Sequence, residues 1–316
     1  CVLASLLLTG CLSGDAPDAA GPEGAPGNAS QAAAQVRVVA TLDFGTSTEF
    51  DVTLPIDDGD TAMDALLTVA DVDTAYGGGF VRGIDGTDSS RDGDWFYYVN
   101  GFLARTGAGD YRLHDGDTVH WDFHDPAAYR GVSATLGSFP LAHVNGYGGQ
   151  RQGTVVAYEE AFVQEAASID SFLDEKGAHD ITVVGLGELT DAQKELVNLV
   201  IIGGPSAEPV REIYDNRLRL GLFTSLDDSG LRTYLASGEE GPSYDSSVGV
   251  LHALQSPWNP SGVGACQNVV LLISGTDTDG VRAAVTVLLE NTDSMMTWCG
   301  AMVRDGGAEF IPVPRW

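Results

Sequence analysis

Residues 93–121 constrain the fold more than any other stretch of the chain. Trp95 to Val99 is an aromatic run that ends in Asn100-Gly101. Thr118 to Phe123 alternates Val119, Trp121 and Phe123 with Thr118, His120 and Asp122. A period of two is strand geometry. Asn-Gly tolerates positive φ at both positions and so turns the chain after the first strand, and Asp115-Gly116 makes a second turn before the next. Trp95, Tyr97 and Val99 share one strand face, and Phe96 and Tyr98 the other. One face must pack under a helix. The other packs on a neighbouring part of the chain or stands open as an aromatic platform.

The upstream residues supply that helix. Val36, Val38, Val39, Leu42 and Phe44, with Thr48 to Leu54, predict a β-hairpin. Met63, Leu66, Leu67 and Ala70 recur at i, i+3, i+4 and i+7, so Thr61 to Val72 predicts a helix with Asp60 as N-cap. Tyr76-Gly77-Gly78-Gly79-Phe80 leads into a strand, Val81 to Ile84; the triple glycine makes either a lip beside the aromatic strand or merely a permissive loop. The order β-β-α-β-β-β lays one helix across a mixed sheet, the arrangement of a β-grasp domain.

Thr61 to Leu66, Tyr76 to Gly83, Trp95 to Gly101, Gly107 to Tyr111 and Asp115 to Trp121, in that order, resemble the DUF4430 family. That family is similar to the C-terminal β-domain of transcobalamin and intrinsic factor. The resemblance covers about residues 36–125 and implies a small-molecule binding module, with cobalamin or another corrinoid as the ligand and no required cofactor. The candidate ligand contacts are Tyr76, Phe80, Trp95, Tyr97, Tyr98 and Asn100. Trp258, in a loop braced by Pro257 and Pro260, is a further contact or a ring folded back on the core. His120, Asp122 and His124 would share a strand face near His114 and Asp125. That pattern suits a metal set or a solvated polar face, and no metal is assigned.

Residues 126–153 form a glycine-rich connector whose aromatics predict packing, with Phe139-Pro140 to Gly149 lining a cleft between domains. Apolar strands and helices then alternate: Thr154 to Tyr158, a helix Glu159 to Lys176, Ile181 to Val184, a capped helix from Thr190, Asn198 to Ile202, a helix Ala207 to Tyr214, Asn268 to Ser274 and a helix Val281 to Glu290. Val248 to Leu254 fits strand or helix. The chain therefore reads as α+β, an N-terminal β-grasp domain followed over residues 154–316 by an α/β domain with a mostly parallel sheet. The glycine turns after two of these strands lack the G-x-G-x-x-G and Gly-Lys-Ser/Thr patterns of nucleotide sites. Asn198 to Pro205 and Gly275 to Ala284 resemble an archaeal S-layer-type module over about residues 180–290, which implies a non-enzymatic surface module. The alternative function is thus surface interaction or adhesion, or an S-layer-associated role without a small ligand.

Charge narrows the partners. Forty-five acidic residues against 16 basic ones give a net charge of −29, and just two of the basic residues are lysines, Lys176 and Lys194. Such a surface repels nucleic acid and anionic headgroups. It suits a protein working in high salt, or an acidic secreted protein. Residues 1–11 read as the end of a signal-peptide apolar region, too short to span a bilayer. Leu8-Thr9-Gly10-Cys11 resembles a lipobox, which implies lipidation of Cys11 and a location on the extracellular face of the membrane. Residues 12–35, rich in Ala, Gly, Pro and Ser, read as a disordered tether. Cys266 and Cys299 form a disulfide in an oxidising compartment or remain two buried thiols. No G-x-S-x-G or H-E-x-x-H set is present, so the expectation is a binding protein, not an enzyme, partnered by a transporter or an S-layer.

Overall fold

The computed structural model describes residues 33–90, 93–126 and 131–313. The signal-peptide and lipobox reading of residues 1–11, with Cys11, and nearly all of the tether lie outside them. The chain runs through β1 (Gln35–Leu42), β2 (Ser47–Pro55), α1 (Ala62–Val69), β3 (Val72–Ala75), β4 (Phe80–Ile84), β5 (Thr87–Asp88), β6 (Asp94–Val99), β7 (Phe102–Leu103) and β8 (Thr118–His124). The main sheet here has the order β2-β1-β8-β6-β7. Its first and last long strands, β1 and β8, lie side by side and parallel, from Arg37 beside Thr118 to Leu42 beside Phe123. Flanked by antiparallel β2 and β6 and crossed by α1, they give the β-grasp arrangement expected from the sequence. Strands β3, β4 and β5 form a small separate sheet.

Helix α1 starts one residue later than expected. Thr61, not Asp60, is the N-cap: the Asp64 amide donates to Thr61 Oγ1 at 3.2 Å, and the Thr61 amide to Asp64 Oδ2 at 3.0 Å. Asp60 instead accepts from the Asp57 amide at 2.8 Å. The helix lays Met63 and Leu66 on the Val38, Val99, Val119 and Trp121 face of the sheet, with Trp95 beside them. Burying a side chain such as Leu66 completely stabilises the fold by about 1.5–3 kcal/mol.

The second half continues through α2 (Ser138–Val144), β9 (Thr154–Tyr158), α3 (Val163–Glu175), β10 (Ile181–Gly185), α4 (Asp191–Leu196), β11 (Asn198–Ile202), α5 (Glu208–Asp215) and α6 (Arg217–Leu220). Then follow β12 (Thr224–Asp227), β13 (Gly230–Tyr234), β14 (Glu240–Tyr244), β15 (Gly249–Gln255), β16 (Val269–Gly275), α7 (Thr278–Asn291), β17 (Gly300–Arg304) and β18 (Gly307–Ile311). The large sheet is ordered β10-β9-β11-β16-β15-β17-β18. Strands β10, β9, β11 and β16 are parallel, but β15, β17 and β18 join antiparallel, so the sheet is mixed rather than mostly parallel. The cause lies in the connections. Helices intervene between β9, β10 and β11, which permits parallel crossovers, whereas β15 reaches β16 by a loop and β17 turns into β18 at Asp305-Gly306, both with positive φ. The ambiguous Val248 to Leu254 run is strand β15, buried along its whole length.

Helices α3 and α7 cover one face of this sheet through Ile169, Leu173, Val281 and Leu288. On the other, Val210 and Ile213 of α5 join Leu226 and Leu231 of the β12–β14 sheet in a second core. The two halves are not separate domains over 36–125 and 154–316. From Ala34 onward the chain is one compact unit. Phe44, from the β1–β2 turn, packs edge-on against Phe223 with centroids 5.2 Å apart. Gln255 Nε2 donates to the Leu103 and Ser133 carbonyls. Gly45 sits so close to Thr297 that a Cβ would fall 2.1 Å from its carbonyl oxygen. The connector is packed, as its aromatics implied: Phe139 is fully buried and stacks on Phe172, and with Pro140 it lines a cavity of about 180 Å³ beside Arg37 and Lys176.

The cysteine pair is corrected. Cys266 and Cys299 are both free and buried in different places. Cys266 packs with Phe102, Ala142 and Val269. Cys299 lies in the core that holds Phe44. Among the described residues no helix is long and apolar enough to cross a membrane.

Candidate aromatic binding site

Strand β7 pairs with only the last two residues of β6, Tyr98 and Val99. The remainder of that β6 edge borders a cavity of about 250 Å³, lined by α1, the Gly79–Val81 segment, β6 and the loop through Ala108. Three of the residues singled out in the sequence, Phe80, Trp95 and Tyr97, meet there with Met63, Phe96 and Trp121. Tyr97 and Trp121, across the strand pair from one another, stack at 4.8 Å. Phe80, 40% exposed, stands at the rim with the 92% exposed Tyr76 edge-on to it at 6.3 Å. The backbone of Tyr76, Gly77 and Gly78 has φ of 53°, 73° and 95°, a left-handed run for which glycine is suited. That run brings Gly79 against the second loop, where a Cβ on Gly107 would lie 3.6 Å from the Gly79 carbonyl.

The polar atoms of these aromatics are turned away. Trp95 Nε1 donates to the Thr87 carbonyl at 2.8 Å, and Tyr97 Oη to the Thr106 carbonyl. Trp121, which also lines the cavity, has its Nε1 buried with no partner. Half-buried Asp94 is the charged group in the wall among the described residues, which contribute no Lys, Arg or His to it.

Tyr98, Asn100 and Trp258 do not belong to this site. Tyr98 is on the opposite face of β6, 1% exposed and stacked on His120. Asn100 is fully buried with φ 48° and ties the two turns together: its Nδ2 donates to Asp117 Oδ1 at 2.7 Å and to the Gly146 carbonyl, and its Oδ1 accepts from the Thr118 amide at 2.9 Å. Burial raises the Asp117 pKa, which the Asn100 side chain and the His114 amide oppose. The Asn-Gly and Asp-Gly-Asp motifs are thus a structural clamp. Trp258 lies half-buried on the α/β half, its Nε1 on Glu212 at 2.8 Å and its ring under Lys194.

The histidine set is likewise internal. Thr41 Oγ1 donates to Asp122 Oδ1 at 2.6 Å and accepts from His120 Nε2 at 2.6 Å, because a carboxylate can only accept. Asp122 also takes the Phe44 and Gly45 amides and His124 Nδ1. The His124 ring is stacked between Phe44 and Phe96, both at 4.3 Å. Among the described residues no three His, Cys, Asp or Glu side chains are arranged to hold a metal ion.

Fold and cavity define the class: an α+β protein whose β-grasp half carries an aromatic-lined cavity at its sheet edge. Residues 59–125 match the model of the family described as "Domain of unknown function (DUF4430)", which bears out that part of the sequence resemblance. Among solved structures, one similar to part of the chain is a protein from Ruminococcus gnavus ATCC 29149 described as a "putative metal binding protein". It is 18% identical with a TM-score of 0.25, the likeness covering 29% of this chain and 97% of that one. No curated protein matches the chain. Sequence reasoning missed Trp121 and the Ala104–Ala108 loop. Alternation grouped Trp121 with Val119 and Phe123 without fixing where that face turns, and nothing local indicated that β7 would stop after two residues.

Proposed function

We propose that the protein is a small-molecule binding module whose ligand enters the cavity between Phe80, Trp95, Tyr97 and Trp121. The observation that carries this reading is an apolar, aromatic cavity flanked by an exposed lip and lined by Trp95, Tyr97 and Trp121, with the polar atoms of Trp95 and Tyr97 bonded to backbone carbonyls. Cavities of this kind are the usual seats of small ligands. The lining offers no nucleophile paired with a base, which supports binding rather than catalysis. A volume of about 250 Å³ lies just below the range of roughly 300–1,000 Å³ for drug-sized ligands. A corrinoid, the ligand suggested by the transcobalamin resemblance, would therefore be held by one edge and not enclosed. The lipobox at Cys11 supports a lipid-anchored location on the extracellular face of the membrane, where a transporter or S-layer partner would receive the module.

Tryptophan fluorescence titration tests the site. A ligand, cobalamin among those tried, should quench the wild type, and Phe80→Ala should weaken binding about tenfold by removing a rim ring. An adhesion module without a small ligand would leave the fluorescence unmoved by every probe.

A further inference from the structure

Resting on that reading of the cavity, we infer that its ligand class is a small organic cation, such as a quaternary or protonated amine with an apolar head. Four aromatic residues, Phe80, Trp95, Tyr97 and Trp121, line one cavity whose wall also includes Asp94 and Phe96 of the β6 edge. Ring faces carry partial negative charge and attract a cation, and the attraction grows as water is removed. Among the described residues, the wall has no Lys, Arg or His to suit an anion or a carbonyl-bearing ligand. The Trp95 and Tyr97 donors are spent on backbone carbonyls, and Trp121 Nε1 is buried.

Asp94 has no hydrogen bond or ion pair through its carboxylate among the described residues, although Arg37, Arg82, Arg232, Arg282 and Arg304 are each paired with a carboxylate elsewhere. An unpaired, half-buried carboxylate on a residue of the cavity wall is half of a charge pair. The long-range field has the same sign preference: a net charge of −29 concentrates cations at the surface and repels anions, an effect that salt screens. Wall, carboxylate and field all select positive charge.

Three probes of nearly the same shape separate charge from shape: choline, 3,3-dimethylbutan-1-ol and 3,3-dimethylbutanoate. Titration calorimetry and tryptophan fluorescence on the full chain should show choline binding about tenfold tighter than the neutral alcohol, with the carboxylate not binding. Asp94→Asn should weaken choline about fivefold and leave the alcohol unchanged, and Phe80→Ala should weaken both. Circular dichroism would establish that each variant is folded. Equal affinities for choline and the alcohol, with Phe80→Ala still weakening both, would overturn the cation and leave the cavity as a ligand site. Absence of binding by all three probes to folded protein would overturn the cation inference; a response to cobalamin in the same samples would then preserve the binding module, and none would remove both.

Discussion

Replacing Thr41 with valine should destabilise the whole molecule, not merely its β-grasp half. Thr41 is fully buried on the face of β1 that meets the second half of the chain. Valine keeps its shape and removes its hydroxyl, which passes a hydrogen bond from His120 to Asp122 over two distances of 2.6 Å. The His120 Nε2–H would be left without an acceptor, and its Nδ1 already has no partner. An orphaned buried donor costs about 1–3 kcal/mol, and a lost hydrogen bond to a charged group about 1.5–3. Asp122 keeps the Phe44 and Gly45 amides and His124, so the lower part of each range applies. The expected loss is about 3 kcal/mol, or a fall in Tm of about 5 °C for a chain of this size. Urea unfolding followed by tryptophan fluorescence and by far-UV circular dichroism should give one coincident transition that moves as a whole. A loss under about 0.5 kcal/mol, or two transitions of which only one moves, would refute both the network and the single folding unit.

Three further outcomes follow from the packing. His120, His143 and His252 are buried with pKa values pushed down to about 4, 3 and 3, chiefly by loss of hydration. Because the folded pKa is depressed, stability is fully present above the unfolded value near 6.5 and is lost as pH falls towards 4, by about 2 kcal/mol per histidine at pH 5; equal urea midpoints at pH 7.5 and 5.0 would contradict this. Gly101→Ala should cost over about 3 kcal/mol or prevent folding, since φ is 81° and a Cβ would fall 2.1 Å from the Ser138 amide nitrogen; near-native stability in urea would show that the β6–β7 turn is not pressed on α2. With Cys1 and Cys11 changed to serine, Cys266 and Cys299 should resist alkylation in the native protein and both react on unfolding without reductant; a requirement for reductant, read by mass spectrometry, would restore the disulfide.

What the sequence conveyed about this fold was what local pattern can convey. Alternation in Thr118 to Phe123 and the Met63, Leu66 stripe implied a helix over one sheet face, and that face is the one carrying Val119 and Trp121. The fate of the opposite face depended on residues roughly 180 to 250 positions away, such as Phe223 against Phe44 and Thr297 against Gly45, and no periodicity reports such contacts. The same limit explains the site. Phe80, Trp95 and Tyr97 were legible because aromatics beside a glycine loop form a local pattern. Tyr98 and Asn100 have the same composition and neighbourhood, but tertiary packing buries them. The parallel character of the large sheet was overestimated because the uniformly apolar Val248 to Leu254 run fits strand or helix alike and the short β17 and β18 were not assigned from the sequence.

The most direct test is the indole region of the ¹H–¹⁵N NMR spectrum during titration with choline or with cobalamin. Ligand in the cavity should shift the indole signals of Trp95 and Trp121 in a saturable manner and leave those of Trp258 and Trp298 in place. Saturable shifts confined to Trp258 or Trp298, or no shift at any tryptophan with every ligand tried, would contradict the assignment of the β6 edge as the binding site.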